Sequence, residues 1–213
     1  MIYYDSVGNV CKFEEKARFS HGTQADILLY NDIVLKAYYE EVVCRIDPRT
    51  FDILKRIKSR NFINLIKRYS KEKNSGVVDA YTSAFIKDEN NLDEYTVEQF
   101  LLEVHGLIKL VDFFSCNGIL MSDVHKDSLI VSDHIKLIDP DKYILCRMPK
   151  NVLMSENRSQ VLNALKNYLK EYVDDTSDEK VYDLFSIDKK GKVEDEMKER
   201  IGSKRYIMDY LVK

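Results

Sequence analysis

Two short apolar runs, Leu129 to Val131 and Ile135 to Ile138, are separated only by Ser132-Asp133-His134. Runs of that length around a polar tripeptide read as a β-hairpin. Acids stand at both of its mouths: Asp123 and Asp127 come before the first run, and Asp139 and Asp141 follow the second. An antiparallel hairpin returns its two ends to one edge, so this segment can bring carboxylates from separate stretches of chain to a common place.

The remaining pattern divides at a polar stretch, Lys87-Asp88-Glu89-Asn90-Asn91, which reads as a hinge. Before it, Val10 to Phe19, Ala25 to Tyr30 and Ile33 to Tyr39 read as strands, with Asn31-Asp32 as the turn joining the last two. Asp47-Pro48 supplies an N-cap acid and a proline at the first helical position, and Phe51, Leu54 and Ile57 carry that helix to about Ser59. Phe62 to Tyr69 and Val77 to Ile86 form a second antiparallel pair around a polar turn. The expected architecture is α+β and bilobal: residues 1–87 hold a five-stranded antiparallel sheet with one helix, and residues 88–213 form a reduced, mainly helical part.

In that second part Val97, Phe100, Leu101, Val104, Ile108 and Val111 share one helical face, and Gly118 suits the left-handed position that ends a helix. Val161, Leu162, Leu165, Tyr168, Leu169 and Tyr172 mark another helix, expected over about Arg158 to Val173, and Met197, Ile201 and Ile207 a last one. The acidic run from Asp174 to Glu179 reads as a solvated loop.

Bulk properties narrow the functional classes. A net charge of −3 with scattered Lys and Arg gives no support to nucleic-acid binding. The four cysteines, Cys11, Cys44, Cys116 and Cys146, lack CxxC spacing, so neither a zinc cluster nor a disulfide framework is indicated, and a reducing cytoplasm is the expected location. No secretory leader is visible, and no apolar run nears the roughly 18 residues of a membrane span. At 213 residues there is room for one domain or two closely packed lobes.

The segment Met121-Ser122-Asp123-Val124-His125-Lys126-Asp127-Ser128, continued by Ile135-Lys136-Leu137-Ile138-Asp139-Pro140-Asp141, resembles the catalytic loop and metal-binding hairpin of protein kinases and of the related aminoglycoside and choline kinases. Its Asp-x-His-x-x-Ser form is closer to the aminoglycoside-kinase loop, Asp-x-His-x-x-Asn, than to the protein-kinase loop with its lysine two places after the aspartate. The resemblance spans about residues 15 to 145. It implies that Asp123 is the catalytic aspartate, that Asp139 binds magnesium, or manganese in its place, and that Ser128 and Asp141 are further candidate metal ligands. Two departures stand out. Met121 replaces the usual histidine, and Ser128 replaces the metal-binding asparagine with a shorter, weaker ligand, for which Asp127 or Asp141 would compensate.

Upstream, Gly22 and Thr23 lie between the first two expected strands, where these families place a glycine-rich phosphate loop. Lys36 resembles the strand lysine that meets the nucleotide phosphates. Asp52 stands where a helix glutamate would hold that lysine, with Glu40 or Glu41 as alternatives, and Phe85 and Ile86 occupy the neighbourhood of the adenine. What the resemblance implies is an ATP-dependent phosphotransferase acting on a protein or small-molecule hydroxyl. The competing expectation is a pseudokinase that keeps the fold as a binding module.

Overall fold

The computed structural model describes residues 1–14, 18–87, 92–175, 199–200, 202–208 and 211. Strands β1 (Ile2–Asp5), β2 (Val10–Lys12), β3 (Arg18–His21), β4 (Ala25–Tyr30), β5 (Ile33–Tyr38), β6 (Leu65–Ser70) and β7 (Ala80–Ala84) form one seven-stranded sheet in the order β2-β1-β6-β7-β5-β4-β3. Each neighbouring pair is antiparallel.

The expected count of five fails at the N-terminus. Val10 to Phe19 does not run as one strand: β2 and β3 lie at opposite edges of the sheet, and Ile2–Asp5 adds a strand between β2 and β6. An aromatic cluster accounts for the division. Phe13 packs edge-on against Tyr3 and Tyr69 at 6.0 and 5.2 Å and meets Tyr30 at 5.6 Å, which draws the chain over the sheet face. The β4–β5 hairpin is as expected, with Tyr30 opposite Ile33 and Asn31 at φ 55°, a left-handed conformation that asparagine tolerates.

Asp47 caps α1 (Pro48–Leu54) by accepting the backbone N–H groups of Arg49 and Thr50 at 2.9 and 3.0 Å. This helix ends short of Ser59, because Arg56 and Ile57 donate back to Ile53 and Leu54 in tight turns. Its buried residues Phe51 and Leu54 pack in the same core as Ala25, Tyr38, Leu65 and Tyr81 of the sheet.

Beyond the sheet, Thr96 and Gln99 form a capping box at the start of α2 (Val97–Cys116), and Gly118, at φ 71°, lies just past its end. Next come β8 (Ile119–Leu120), β9 (Leu129–Val131), β10 (Ile135–Leu137) and β11 (Ile144–Leu145), paired as β9–β10 and β8–β11. The helix expected from Arg158 instead begins at Lys150: α3 runs Lys150–Asp175. Pro149 accepts the first helical bonds, from Val152 and Leu153, and is the start signal for this helix. Residues 202–208 are helical, and the acidic run contributes Asp174 and Asp175 to the end of α3. Positions 88–91, 176–179, Met197 and Ile201 lie outside the described residues. No helix among the described residues is long and apolar enough to cross a membrane.

One contiguous core joins the sheet and α1 to Phe100, Val104 and Phe114 of α2, the β9–β10 hairpin, and Val161, Leu165 and Leu169 of α3. Polar stitching sets the hairpin beside the sheet. Ile63 donates to the Leu137 carbonyl at 2.9 Å, and Leu137 donates to the Asn61 carbonyl at 3.0 Å. Buried Glu103 of α2 accepts from Asn61 Nδ2 at 2.6 Å and from the Ile135 N–H at 3.3 Å. Gly106 makes room for this network, since a Cβ there would lie 2.3 Å from Asn61 Oδ1. Asp139, two residues beyond Leu137, is thereby fixed close to β5.

Candidate functional site

Lys36 leaves the middle of β5, where it is paired on either side with Ile27 and Tyr81. Its Nζ lies 2.7 Å from Asp139 Oδ1 and 2.5 Å from Asp141 Oδ2. The three side chains differ in solvent access: 16% for Lys36, 39% for Asp139 and 5% for Asp141. Asp141 also accepts a hydrogen bond from the Tyr81 hydroxyl at 2.9 Å. Burial alone would lower the Lys36 pKa, but the carboxylates of Asp141 and Asp139 outweigh it and the net shift is upward, so the ammonium is fully charged. Burial pushes the Asp141 pKa up, and Lys36 opposes that push. Burial, followed by the Asp141 charge, raises the pKa of the Tyr38 hydroxyl.

Asp52 does not hold Lys36. Its carboxylate accepts a two-pronged contact from Arg68, Nε at 3.0 Å and NH2 at 3.1 Å, on β6. Glu40 is likewise engaged elsewhere, 2.7 Å from Lys71. The acid at Lys36 comes from the segment after β10 rather than from α1. Sequence position favoured Asp52 because it weighed order along the chain, whereas the short α1 carries that side chain to a different strand.

The loop from Met121 to Ser128 is anchored from α3. Asn157, fully buried, accepts the Met121 N–H at 2.8 Å while its Nδ2 donates to Ser115 Oγ at 2.9 Å and the Ile119 carbonyl at 2.8 Å. Met121 is itself a core residue with no exposure. Asp123 adopts φ 61°, and its carboxylate pairs with the Lys142 ammonium. Strained backbone of this kind concentrates where a side chain must be aimed. Ser128 faces inward: it is 1% exposed, and its Oγ accepts the His125 N–H at 3.2 Å, closing the loop on itself. Its hydroxyl is structural here, and the acids of this loop that line the cleft are Asp123 and Asp127.

A cleft of about 670 Å³ gathers these groups. Gly22 and Thr23, from the turn between β3 and β4, line it together with Lys36, Asp123, Asp139 and Asp141. Gly22 donates its N–H to the Ala25 carbonyl at 3.0 Å. It has no left-handed φ, and a Cβ there would meet only that carbonyl, at 3.9 Å, so the turn does not require glycine. Phe85 and Ile86 line the same cleft. Phe85 stacks edge-on against Phe19 of β3 at 5.7 Å, and its N–H is already bonded to the Asp32 carbonyl at 2.8 Å. Of the proposed site residues, the structure therefore brings together Gly22, Thr23, Lys36, Phe85, Ile86, Asp123, Asp139 and Asp141, and leaves out Asp52 and Ser128. The sequence reading missed Phe19, Tyr81 and Lys142, which also line it.

Among the described residues no group of three His, Cys, Asp or Glu side chains is arranged to hold a metal ion. Magnesium needs no such group when it arrives on a triphosphate, because one or two carboxylates, phosphate oxygens and water complete its octahedron. Asp139, partly exposed and beside a second acid, fits that requirement; Asp141, enclosed by Lys36 and Tyr81, fits it less well.

No protein-family model matches the chain. No curated protein matches it by sequence. Among solved structures, the PknI kinase domain of Mycobacterium tuberculosis is similar, with a TM-score of 0.48 and 11% sequence identity, covering 71% of this chain and 71% of that one. A likeness at that level leaves the functional reading to rest on the side chains of the cleft.

Proposed function

We propose that the chain is an ATP-dependent phosphotransferase with a protein-kinase-like fold, acting on a protein hydroxyl or, alternatively, on a small-molecule alcohol. The observation that carries the reading is the meeting of Lys36 with Asp139, at 2.7 Å, in the cleft that also holds Asp123. Residues 103 positions apart in sequence form that contact, and a lysine with only 16% of its side chain exposed, held between two acids in one cleft, is a costly arrangement for packing alone.

In this reading Lys36 steadies the phosphates of the nucleotide, and the Gly22-Thr23 turn lies over them. Phe19, Phe85 and Ile86 offer an apolar wall for the base. Asp139 would hold magnesium, with Asp127 the second acid within reach; the ion supplies neutralisation of charge on the β- and γ-phosphates when bound. Asp123 orients the acceptor hydroxyl and receives its proton as transfer proceeds. Asp141 keeps Lys36 in place, the task that the sequence reading gave to Asp52. Alignment and charge neutralisation provide most of the rate in phosphoryl transfer, and both follow from fixed charged groups.

Two observations favour a second reading, a nucleotide-binding module without transfer. The Asp123 carboxylate is paired with Lys142, and Ser128 is turned away from the cleft. Incubation with γ-labelled ATP and magnesium in a host lysate, beside Asp123→Asn, separates the two. Label in protein or in metabolite that is absent from the variant supports transfer. Equal label in both sinks the phosphotransferase reading in favour of the second.

A further inference from the structure

Lys142 pairs its ammonium with the carboxylate of Asp123, and both side chains line the cleft. Lys126, the cation nearest Asp123 in sequence, is instead paired with Glu171 of α3 and does not line the cleft. The backbone that carries Lys142 is anchored, because Asp141 immediately before it is gripped by Lys36 and Tyr81. About a third of the Lys142 side chain is exposed, so the ammonium is open to a ligand in the cleft. Its pKa is raised by the hydrogen bond to Asp123, with the Asp139 charge contributing, which keeps it cationic.

We infer that Lys142 is a phosphate-binding residue whose ammonium bridges Asp123 and the terminal phosphate of a bound nucleoside triphosphate. The inference rests on the phosphotransferase reading. In the transfer step the bond from the acceptor oxygen to the γ-phosphorus forms while the bond from that phosphorus to the β–γ bridging oxygen breaks. The electron pair leaves with ADP, and the acceptor proton passes to Asp123. Lys142 makes and breaks no covalent bond; it neutralises charge on the transferring group, and its contact exists only with a third phosphate present.

The consequence is a preference for ATP over ADP that depends on Lys142. Titration of both nucleotides with magnesium present reads it directly. The wild-type protein is expected to bind ATP more tightly, and Lys142→Ala to lose about tenfold in ATP affinity, the effect of one charge-assisted contact, while its ADP affinity holds and reports an intact fold. Lys126→Ala is expected to change neither. In the double variant Lys142→Ala/Asp123→Asn the loss of ATP affinity should persist; recovery there would mean that the single variant merely unmasked a repelling carboxylate, and would overturn the inference. A Lys142→Ala protein that keeps the wild-type preference, or a wild-type protein without one, overturns it alone. Wild-type protein that binds neither nucleotide removes the phosphotransferase reading and this inference together.

Discussion

Replacing Asp141 by asparagine removes one negative charge from a side chain that is only 5% exposed and leaves its shape nearly intact. The Tyr81 hydroxyl keeps an acceptor in the amide oxygen, and Lys36 keeps Asp139. What is lost is the 2.5 Å contact between Lys36 and a buried carboxylate. Breaking a buried ion pair outright costs about 3–5 kcal/mol, and one charge-assisted hydrogen bond about 1.5–3 kcal/mol, so with a partner remaining the expected loss is about 2–3 kcal/mol. Asp139→Asn, at a position 39% exposed, should cost about 1 kcal/mol or less. For a chain of this size those losses convert to Tm decreases of about 4–12 °C and less than about 4 °C. Thermal unfolding followed by circular dichroism, without nucleotide or metal, measures both. The sign is decisive. Two carboxylates kept for a metal repel each other in the metal-free protein, so removing either would raise Tm. An Asp141→Asn protein that melts at or above the wild type would refute the assignment of Asp141 to Lys36.

Asp52→Ala should cost only about 1 kcal/mol, through its half-exposed pair with Arg68, and leave ATP affinity unchanged, as read by urea unfolding and nucleotide titration. Asn157→Ala strands the Met121 N–H and removes the donor that Asn157 gives to the Ile119 carbonyl and to the Ser115 hydroxyl, which keeps its bond to the Val111 carbonyl, and should destabilise by about 2–3 kcal/mol, with label transfer falling as the Asp123 loop loosens. Hydrogen bonds from Lys136 and Ser132 hold the Asp133 carboxyl at about 2 against an ordinary 3.8. A lowered folded-state pKa gives stability that is present above the unfolded value and lost as pH falls through 3.8 towards 2, so the Tm difference between pH about 5 and about 2 should be smaller in Asp133→Asn than in the wild type.

Local rules made some of this molecule legible. The Asn31-Asp32 turn, the Asp47-Pro48 helix start and the β9–β10 hairpin each follow from a few neighbouring residues and stand where those residues place them, and α2 forms as its period requires, although its buried face takes in Leu107, Leu110 and Phe114 and leaves Leu101 exposed. The start of α3 did not follow, because Asn157 interrupts the apolar face at a position where its amide is fully buried and bonds three groups of other elements. The division between β2 and β3 escaped for a related reason: Phe13 is placed by Tyr3, Tyr30 and Tyr69, which lie on three other strands.

Within the site, residues set by backbone position were readable. Lys36 on β5 and Asp139 after β10 occupy fixed places in the fold, and they meet. Partnerships between long side chains were not. Arg68 competes for Asp52, Lys142 reaches Asp123, and Asp141 serves Lys36, and nothing in the spacing of those residues ranks one pairing above another. Ser128 shows the limit of matching by position, since its hydroxyl closes its own loop instead of facing the cleft.

The most direct test of the central claim is a crystal structure of the protein with magnesium and a non-hydrolysable ATP analogue. The account predicts the analogue's phosphates between Lys36 and the Gly22-Thr23 turn, the metal on Asp139, and the base against Phe19 and Phe85. An analogue bound outside this cleft, or a cleft that stays empty at saturating analogue while Lys36 remains clamped between Asp139 and Asp141, would contradict it.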